Sequence, residues 1–207
     1  IKQWDDQEYL QSLIEEYWFL DESILDKDIL YPLEGYLYPE TYYITEQEPD
    51  LKSMTKLALD MMDERLSEYK DDIEKLGWTP HQFLTFASIV ERESLFDKDR
   101  PKIAGVFINR LNKDMLLQSD ITVNYAWQRT GVDVSVSHTQ IDSRYNTYKY
   151  TGLPIGPIST ISKVTIEACI QYEHHDYYYF FAKEDGTVIY SRTYKEHQKI
   201  VEENRWY

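Results

Sequence analysis

Thr79-Pro80-His81-Gln82-Phe83-Leu84-Thr85-Phe86-Ala87-Ser88-Ile89-Val90-Glu91-Arg92-Glu93-Ser94 is the stretch on which the fold and the chemistry of this chain turn. Thr79 before Pro80 is a helix start, with the threonine as N-cap and the proline at the first helical position. At roughly 100° per residue from Glu93, Phe86 falls at about 20°, Ile89 at about −40°, Val90 at about 60° and Phe96 at about −60°, all on one apolar stripe. Glu91 points about 160° away, so one glutamate is expected inward and the other outward. A carboxyl group against apolar walls has its charged form disfavoured and its pKa raised, as a general acid near neutral pH requires. The competing explanation is a helix-end glutamate paired with a basic side chain, and spacing alone favours it because structural ion pairs are common.

Working outward, Tyr9, Leu10, Leu13, Ile14, Tyr17 and Trp18 recur at helical spacing, with Asp5 or Asp6 as cap. Leu33-Glu34-Gly35-Tyr36-Leu37-Tyr38-Pro39-Glu40-Thr41-Tyr42 suits a shaped loop leading into a short strand. A long helix is expected from Leu51 to Leu76, with Met54, Leu57, Ala58, Met61, Leu66 and Ile73 inward and Gly77 ending it. After the Glu93 helix, Asp99 is expected to cap a helix carrying Ile103, Val106, Phe107 and Leu111, which ends near Asn112-Lys113-Asp114. Leu116 to Tyr125 turns into a short helix, and Val132 to Ser143 has no clear pattern. Tyr145-Asn146-Thr147-Tyr148 reads as a short strand, and the Gly- and Pro-rich Thr151 to Ile158 as one fixed surface shape. A helix over Ser162 to Gln171, a hairpin of Tyr177–Ala182 and Thr187–Tyr190 about Glu184-Asp185-Gly186, and a helix from Tyr194 to Asn204 complete the chain. The class is α+β: a mostly helical single domain with short antiparallel strands and a C-terminal β-hairpin. Residues 1–76 form a helical lead-in lobe to a core at 77–207.

The 207 residues suffice for one domain with a sizeable core, and no run of about 18 apolar residues occurs. The chain opens on Ile1 with no signal-like segment, and is expected to be a piece of a longer protein. A net charge of −15, with no basic cluster, argues against nucleic acid and against anionic membrane surfaces as partners. The single cysteine, Cys169, forms no internal disulfide and leaves the compartment open. Nineteen tyrosines and five tryptophans supply amphipathic rings suited to sugar faces, although most are needed to cover the core.

Other chemistries lack their signatures. His174-His175-Asp176 is a poor metal set because adjacent histidines diverge and no HExxH or paired-cysteine spacing supports it. No metal or cofactor is expected. There is no phosphate-cradling loop, no serine nucleophile elbow and no activating context for Cys169, while His197 reads as a packing or hydrogen-bonding residue. Carboxylate chemistry remains, with Glu34, Glu40, Glu93 and Asp120 in distinctive surroundings; glycoside cleavage normally uses two such groups, and sequence alone does not pair them.

Several of these stretches resemble one family in order and type: Leu33–Tyr42, Ala87–Ser94, Val106–Leu111 with Leu117-Gln118-Ser119-Asp120, Tyr145–Tyr148, Gly152–Ile158, and the Tyr-rich hairpin followed by His197. Over about residues 30–202 the chain is similar to the catalytic region of the endolytic murein transglycosylases of the MltG (YceG-like) family. Ile121 and Ile161-Ser162 depart from the residues common in relatives, at helix starts where they bear on capping. The resemblance implies a bacterial enzyme at the extracytoplasmic face of the cell membrane, held by an anchor outside this chain, as is a LysM-like region. It would cut peptidoglycan glycan strands internally, leave a 1,6-anhydro-MurNAc end and work beside peptidoglycan synthases. It also implies that Glu93 is the catalytic residue, acting first as acid and then as base, with Glu34, Gln118, Asp120, Asn146 and Tyr148 as substrate-binding groups and Tyr36 or Tyr38 as a stacking platform. A lysozyme-type hydrolase with Glu34 or Asp120 as partner and a non-catalytic wall-binding scaffold are the alternatives.

Overall fold

A computed structural model describes residues 6–43, 50–130 and 134–205. Eight α-helices and one β-hairpin are found among them, an α+β arrangement dominated by helix. Helix α1 (Gln7–Glu16) is capped by Asp6, whose carboxylate accepts from the Tyr9 amide at 3.1 Å; Asp5 lies outside the described residues. The expected long helix is two helices, α2 (Leu51–Ser67) and α3 (Lys70–Lys75). Tyr69 leaves helical geometry between them (φ −116°, ψ 8°), and its hydroxyl donates to Glu167 at 2.8 Å. Gly77, with φ +74°, ends the pair in the left-handed conformation a C′ glycine supplies.

The inner face of α2 is also rotated from expectation. Thr55, Ala58, Leu59, Met62 and Leu66 are buried, whereas Met54 and Leu57 are 39% and 45% exposed. The sequence offers two overlapping apolar stripes, and the residues just after α1 select between them: Tyr17 Oη donates to Asp60 at 2.6 Å and Trp18 Nε1 to Asp63 at 2.7 Å.

Helix α4 (Pro80–Glu93) is the centre of the molecule. Thr79 and Gln82 form a reciprocal capping box, and every side chain from Phe83 to Val90 is buried. The helix is therefore enclosed all round, not amphipathic with a single stripe, and each fully buried large apolar side chain stabilises by about 1.5–3 kcal/mol. Phe86, Ile89 and Val90 are inside as expected, but Phe96 lies beyond the helix end and is 43% exposed.

Helix α5 (Arg100–Leu111) packs on α4. Asp99 stands at its N-cap position without a side-chain capping bond, because it belongs to a 3-10 turn (Asp97–Asp99) and has helical dihedrals already. Helix α6 (Asp120–Ala126) and helix α7 (Lys163–Ile170, capped by Ser162) also contact α4. Strands β1 (Tyr179–Ala182) and β2 (Val188–Ser191) pair antiparallel, with Tyr179 opposite Ser191 and Ala182 opposite Val188. Gly186, with φ +80°, makes the turn, and Thr193 and Glu196 box the start of α8 (Tyr194–Asn204).

Among the described residues neither of the two short strands expected near Tyr42 and at Tyr145–Tyr148 is found. Leu33–Tyr36 runs as successive turns, with Glu34 N donating to Tyr31 O and Tyr36 N to Leu33 O, and Tyr38–Tyr42 has no regular structure, Tyr38 N donating to Ala58 O. At Tyr145–Tyr148 the Asn146 side chain outcompetes strand pairing: its amide donates to Thr139 O and Ile141 O, and its Oδ1 accepts from Tyr148 N at 3.0 Å. The Gly- and Pro-rich segment has no regular structure, as expected, but it is not a surface feature. Pro154, Gly156, Pro157 and Ile158 are buried, and Ile158 N donates to Ser88 Oγ at 3.0 Å. No described helix is long and apolar enough to cross a membrane.

Candidate active site

Glu91 and Glu93 part company as their spacing requires, although Glu91 is not turned to solvent. Its Oε1 meets Arg100 Nη2 at 3.0 Å, and its Oε2 accepts from Ser162 N at 3.0 Å, Ser162 Oγ at 2.8 Å and Thr165 Oγ1 at 2.5 Å. These bonds tie α4 to α5 and α7 and hold the Glu91 carboxyl below its ordinary pKa despite partial burial. The ion-paired glutamate of this helix end is thus Glu91.

Glu93 is the last residue of α4 and is half-buried, with its carboxyl desolvated by the surrounding protein. Ser119 Oγ donates to its Oε1 at 2.6 Å. Desolvation raises the Glu93 pKa to about 7; the neighbouring Asp120 charge adds to the rise, while the Ser119 bond and the Arg110 charge oppose it. Arg110 is 8% exposed and fixed by carbonyls: Nε donates to Tyr178 O at 2.6 Å, and Nη1 to Leu116 O and Leu117 O at 3.1 and 2.8 Å. Its guanidinium lies 5.0 Å from the Tyr179 ring centre, and His197 stacks on that tyrosine at 5.3 Å.

Asp120 follows Ser119 into the site. Tyr148 Oη donates to its Oδ1 at 2.5 Å, and burial raises the pKa of both groups, with that bond restraining the rise at Asp120 and adding to it at Tyr148. Glu93, Asp120 and Tyr148 therefore form one electrostatically coupled group. Gln118, exposed and in the left-handed region at φ +51°, turns the chain immediately before Ser119.

The remaining sequence-predicted residues are elsewhere. Glu34, half-buried and with its pKa raised by desolvation, acts electrostatically on Tyr125 and Tyr145, and it is not among the charges that act on Glu93. Tyr36 has no exposed surface and shares a 2.5 Å hydrogen bond with His81 Nδ1; Tyr38 is 8% exposed. Neither ring offers a face to a sugar, because Leu33–Tyr38 folds inward onto the core and only Pro39–Thr41 of the 33–42 loop is exposed. Asn146 is fully buried with its amide committed to backbone. Glu40 is exposed and accepts from the Thr41 amide at 3.0 Å.

Ser119, through a hydrogen bond, and Arg110, through its charge, act on Glu93, and sequence reasoning singled out neither. Ser119 stands at an apparent helix N-cap, which disguises it; Arg110 looks like an ordinary last-turn base. Among the described residues no group of three or more His, Cys, Asp and Glu is arranged to hold a metal. The His174–Asp176 run disperses, His175 Nε2 meeting Lys102 O at 2.9 Å and Asp176 pairing with Arg192 at 2.6 Å. A cavity of about 470 Å³ lined by Asp21, Asp26, His81, Gln82 and Arg144 sits at the opposite, N-terminal end of α4 and does not include Glu93.

Fold and site together define an α+β domain with one desolvated glutamate, its pKa raised to about 7, at the end of a buried helix. The YceG-like family profile matches residues 2–203, and the chain belongs to that family. It is 39% identical to an endolytic murein transglycosylase of Bacillus subtilis, over 96% of this chain and 55% of that protein, and 39% identical to one of Streptococcus pneumoniae, over 96% and 37%. A crystal structure of a YceG-like protein from Listeria monocytogenes superposes with a TM-score of 0.92 at 40% identity, covering 96% of this chain and 66% of that one. The chain thus spans about half the length, or less, of the curated relatives it matches.

Proposed function

We propose that this chain is the catalytic region of an endolytic murein transglycosylase, with Glu93 as its single acid–base residue. The observation that carries this is the Glu93 carboxyl, held at one oxygen by Ser119 and with its pKa raised by desolvation to about 7, where it can both give and take a proton. The names of the two relatives support peptidoglycan as the substrate.

In the proposed reaction Glu93 gives its proton to the glycosidic oxygen as the C1–O4 bond of a MurNAc–GlcNAc linkage breaks through an oxocarbenium-like state. The resulting carboxylate then takes the proton of the muramic C6 hydroxyl as that oxygen bonds to C1. The acid is regenerated, no water is consumed, and the product carries a 1,6-anhydro end. Acid–base help of this kind contributes about 10²–10⁴ in rate. Asp120, Tyr148 and Gln118 are the proposed substrate-facing polar groups, and Glu34 is left as a more distant one. Action on peptidoglycan would put the chain at the extracytoplasmic face of the membrane, through an anchor outside this sequence and alongside peptidoglycan synthases. Mass spectrometry of glycan strands incubated with the wild type and with Glu93→Gln tests this. Anhydro ends made by the wild type alone are expected; ends made equally by both proteins, or by neither, overturn it.

A further inference from the structure

We propose that Ser119 is the positioning residue of Glu93, aimed by a closed ring of hydrogen bonds with Thr122 and Thr147, so that Oε1 is the accepting oxygen and Oε2 carries the transferable proton. Three observations lead there, and only the consequence for turnover rests on the acid–base role given to Glu93 above.

The first is the ring itself. Ser119 N donates to Thr147 Oγ1 at 3.0 Å, the Thr147 and Thr122 hydroxyls are 2.8 Å apart, and Thr122 Oγ1 donates to Ser119 O at 2.7 Å. The Thr122 hydrogen is committed to the Ser119 carbonyl, so the Thr147 hydroxyl must be the donor between the two threonines. All three residues are at most 2% exposed, so the ring works without competition from water.

The second is a capping bond that is not made. Ser119 has extended N-cap dihedrals (φ −91°, ψ 120°) at the start of α6, yet its side chain caps no amide. A serine there ordinarily accepts from the first helical turn. Here its hydroxyl is turned to Glu93 Oε1 instead, at 2.6 Å, and no other acceptor is hydrogen-bonded to it among the described residues. Local departures of this sort are expected where function overrides helix stability.

The third is placement. The ring members are chain neighbours of the other site groups: Asp120 follows Ser119, and Tyr148, which donates to Asp120, follows Thr147. One ring therefore fixes both polar walls facing Glu93. A donor from Ser119 serves the acid and the carboxylate alike, which suits a group used twice in one cycle. With Oε1 occupied, the sugar oxygens must approach Oε2.

The test is carboxyl ¹³C NMR titration of Glu93, its signal assigned by its loss in Glu93→Gln. Ser119→Ala is expected to raise the Glu93 midpoint by about one pH unit, the scale of one hydrogen bond to a charged group. Thr147→Val is expected to raise it as well, although Thr147 makes no hydrogen bond to Glu93, and Thr147→Ser to restore the wild-type midpoint. Asp120, Tyr148 and Arg110, the charged or titratable groups facing Glu93, are retained throughout. A purely structural ring would lower the melting temperature and leave the midpoint in place, which overturns the proposal, as does an unshifted Ser119→Ala. Should Thr147→Val fail to fold, Thr122→Val reads the same shift. The titration needs no turnover, so absence of anhydro products would refute the transglycosylase reading while the midpoints still decide this one.

Discussion

Glu93→Gln should make the protein more stable, and increasingly so as pH rises. Burial raises the folded-state pKa of Glu93 from 4.5 to about 7, so the folded chain holds this proton over a range where the unfolded chain has released it. The stability associated with that proton is present below the unfolded pKa and is lost as pH climbs through the folded one. Glutamine keeps the shape and carries no titrating proton. Working the two pKa values through linkage, the stability difference between Glu93→Gln and wild type should grow by about 2–3 kcal/mol between pH 5 and pH 8. Urea unfolding of both proteins at the two pH values reads this directly, since other titrating groups cancel in the double difference and the slope of the transition should be unchanged. A difference that is flat with pH would refute the enclosed-carboxyl account, and one that shrinks would mean that Glu93 is stabilised as an ion.

Other perturbations separate the site from its scaffold. Asp120→Asn removes the like charge that raises the Glu93 pKa, so the alkaline limb of the pH–activity profile should move to lower pH by up to about one unit; no movement would show the two carboxyls to be uncoupled. Glu91→Ala removes the α4 partner of Arg100, 7% exposed and still paired with Asp97, and leaves Ser162 and Thr165 without their acceptor, a loss of about 2–4 kcal/mol on the scale of unsatisfied buried donors; chemical denaturation showing less than about 1 kcal/mol would contradict the clamp. Tyr36→Phe leaves His81 Nδ1 unpaired and should cost about 1–3 kcal/mol in stability, with glycan cleavage per folded molecule unchanged. Intact stability with lost glycan binding in that variant would restore Tyr36 to the substrate surface.

Features encoded within a few residues were legible in the sequence. The Thr79-Pro80 start, the Gly77 stop, the Glu184-Asp185-Gly186 turn and the last helix need only local bonding to form, and each is where its signal put it. The separation of Glu93 from Glu91 was legible for the same reason, because helical geometry fixes their angle. Their fates were less so: Glu91 met Arg100, Ser162 and Thr165 only through tertiary packing of α5 and α7. The rotation of α2 was hidden because Met54, Leu57 and Met61 compete with Ala58, Leu59 and Met62 as inner faces, and the choice is made by Tyr17 and Trp18 some 40 residues earlier. Tyr145–Tyr148 alternates like a strand, yet the Asn146 amide draws it into turns. Ser119 carried the signal of a helix cap, and only the approach of α4 gives its hydroxyl a different acceptor.

The central claim, that Glu93 serves alone as acid and then base with no water entering the bond, is tested most directly by cleaving glycan strands in ¹⁸O-enriched water. New muramic ends without the label and 18 mass units lighter than a reducing end are predicted. Labelled reducing ends would contradict the account and mark the enzyme as a hydrolase.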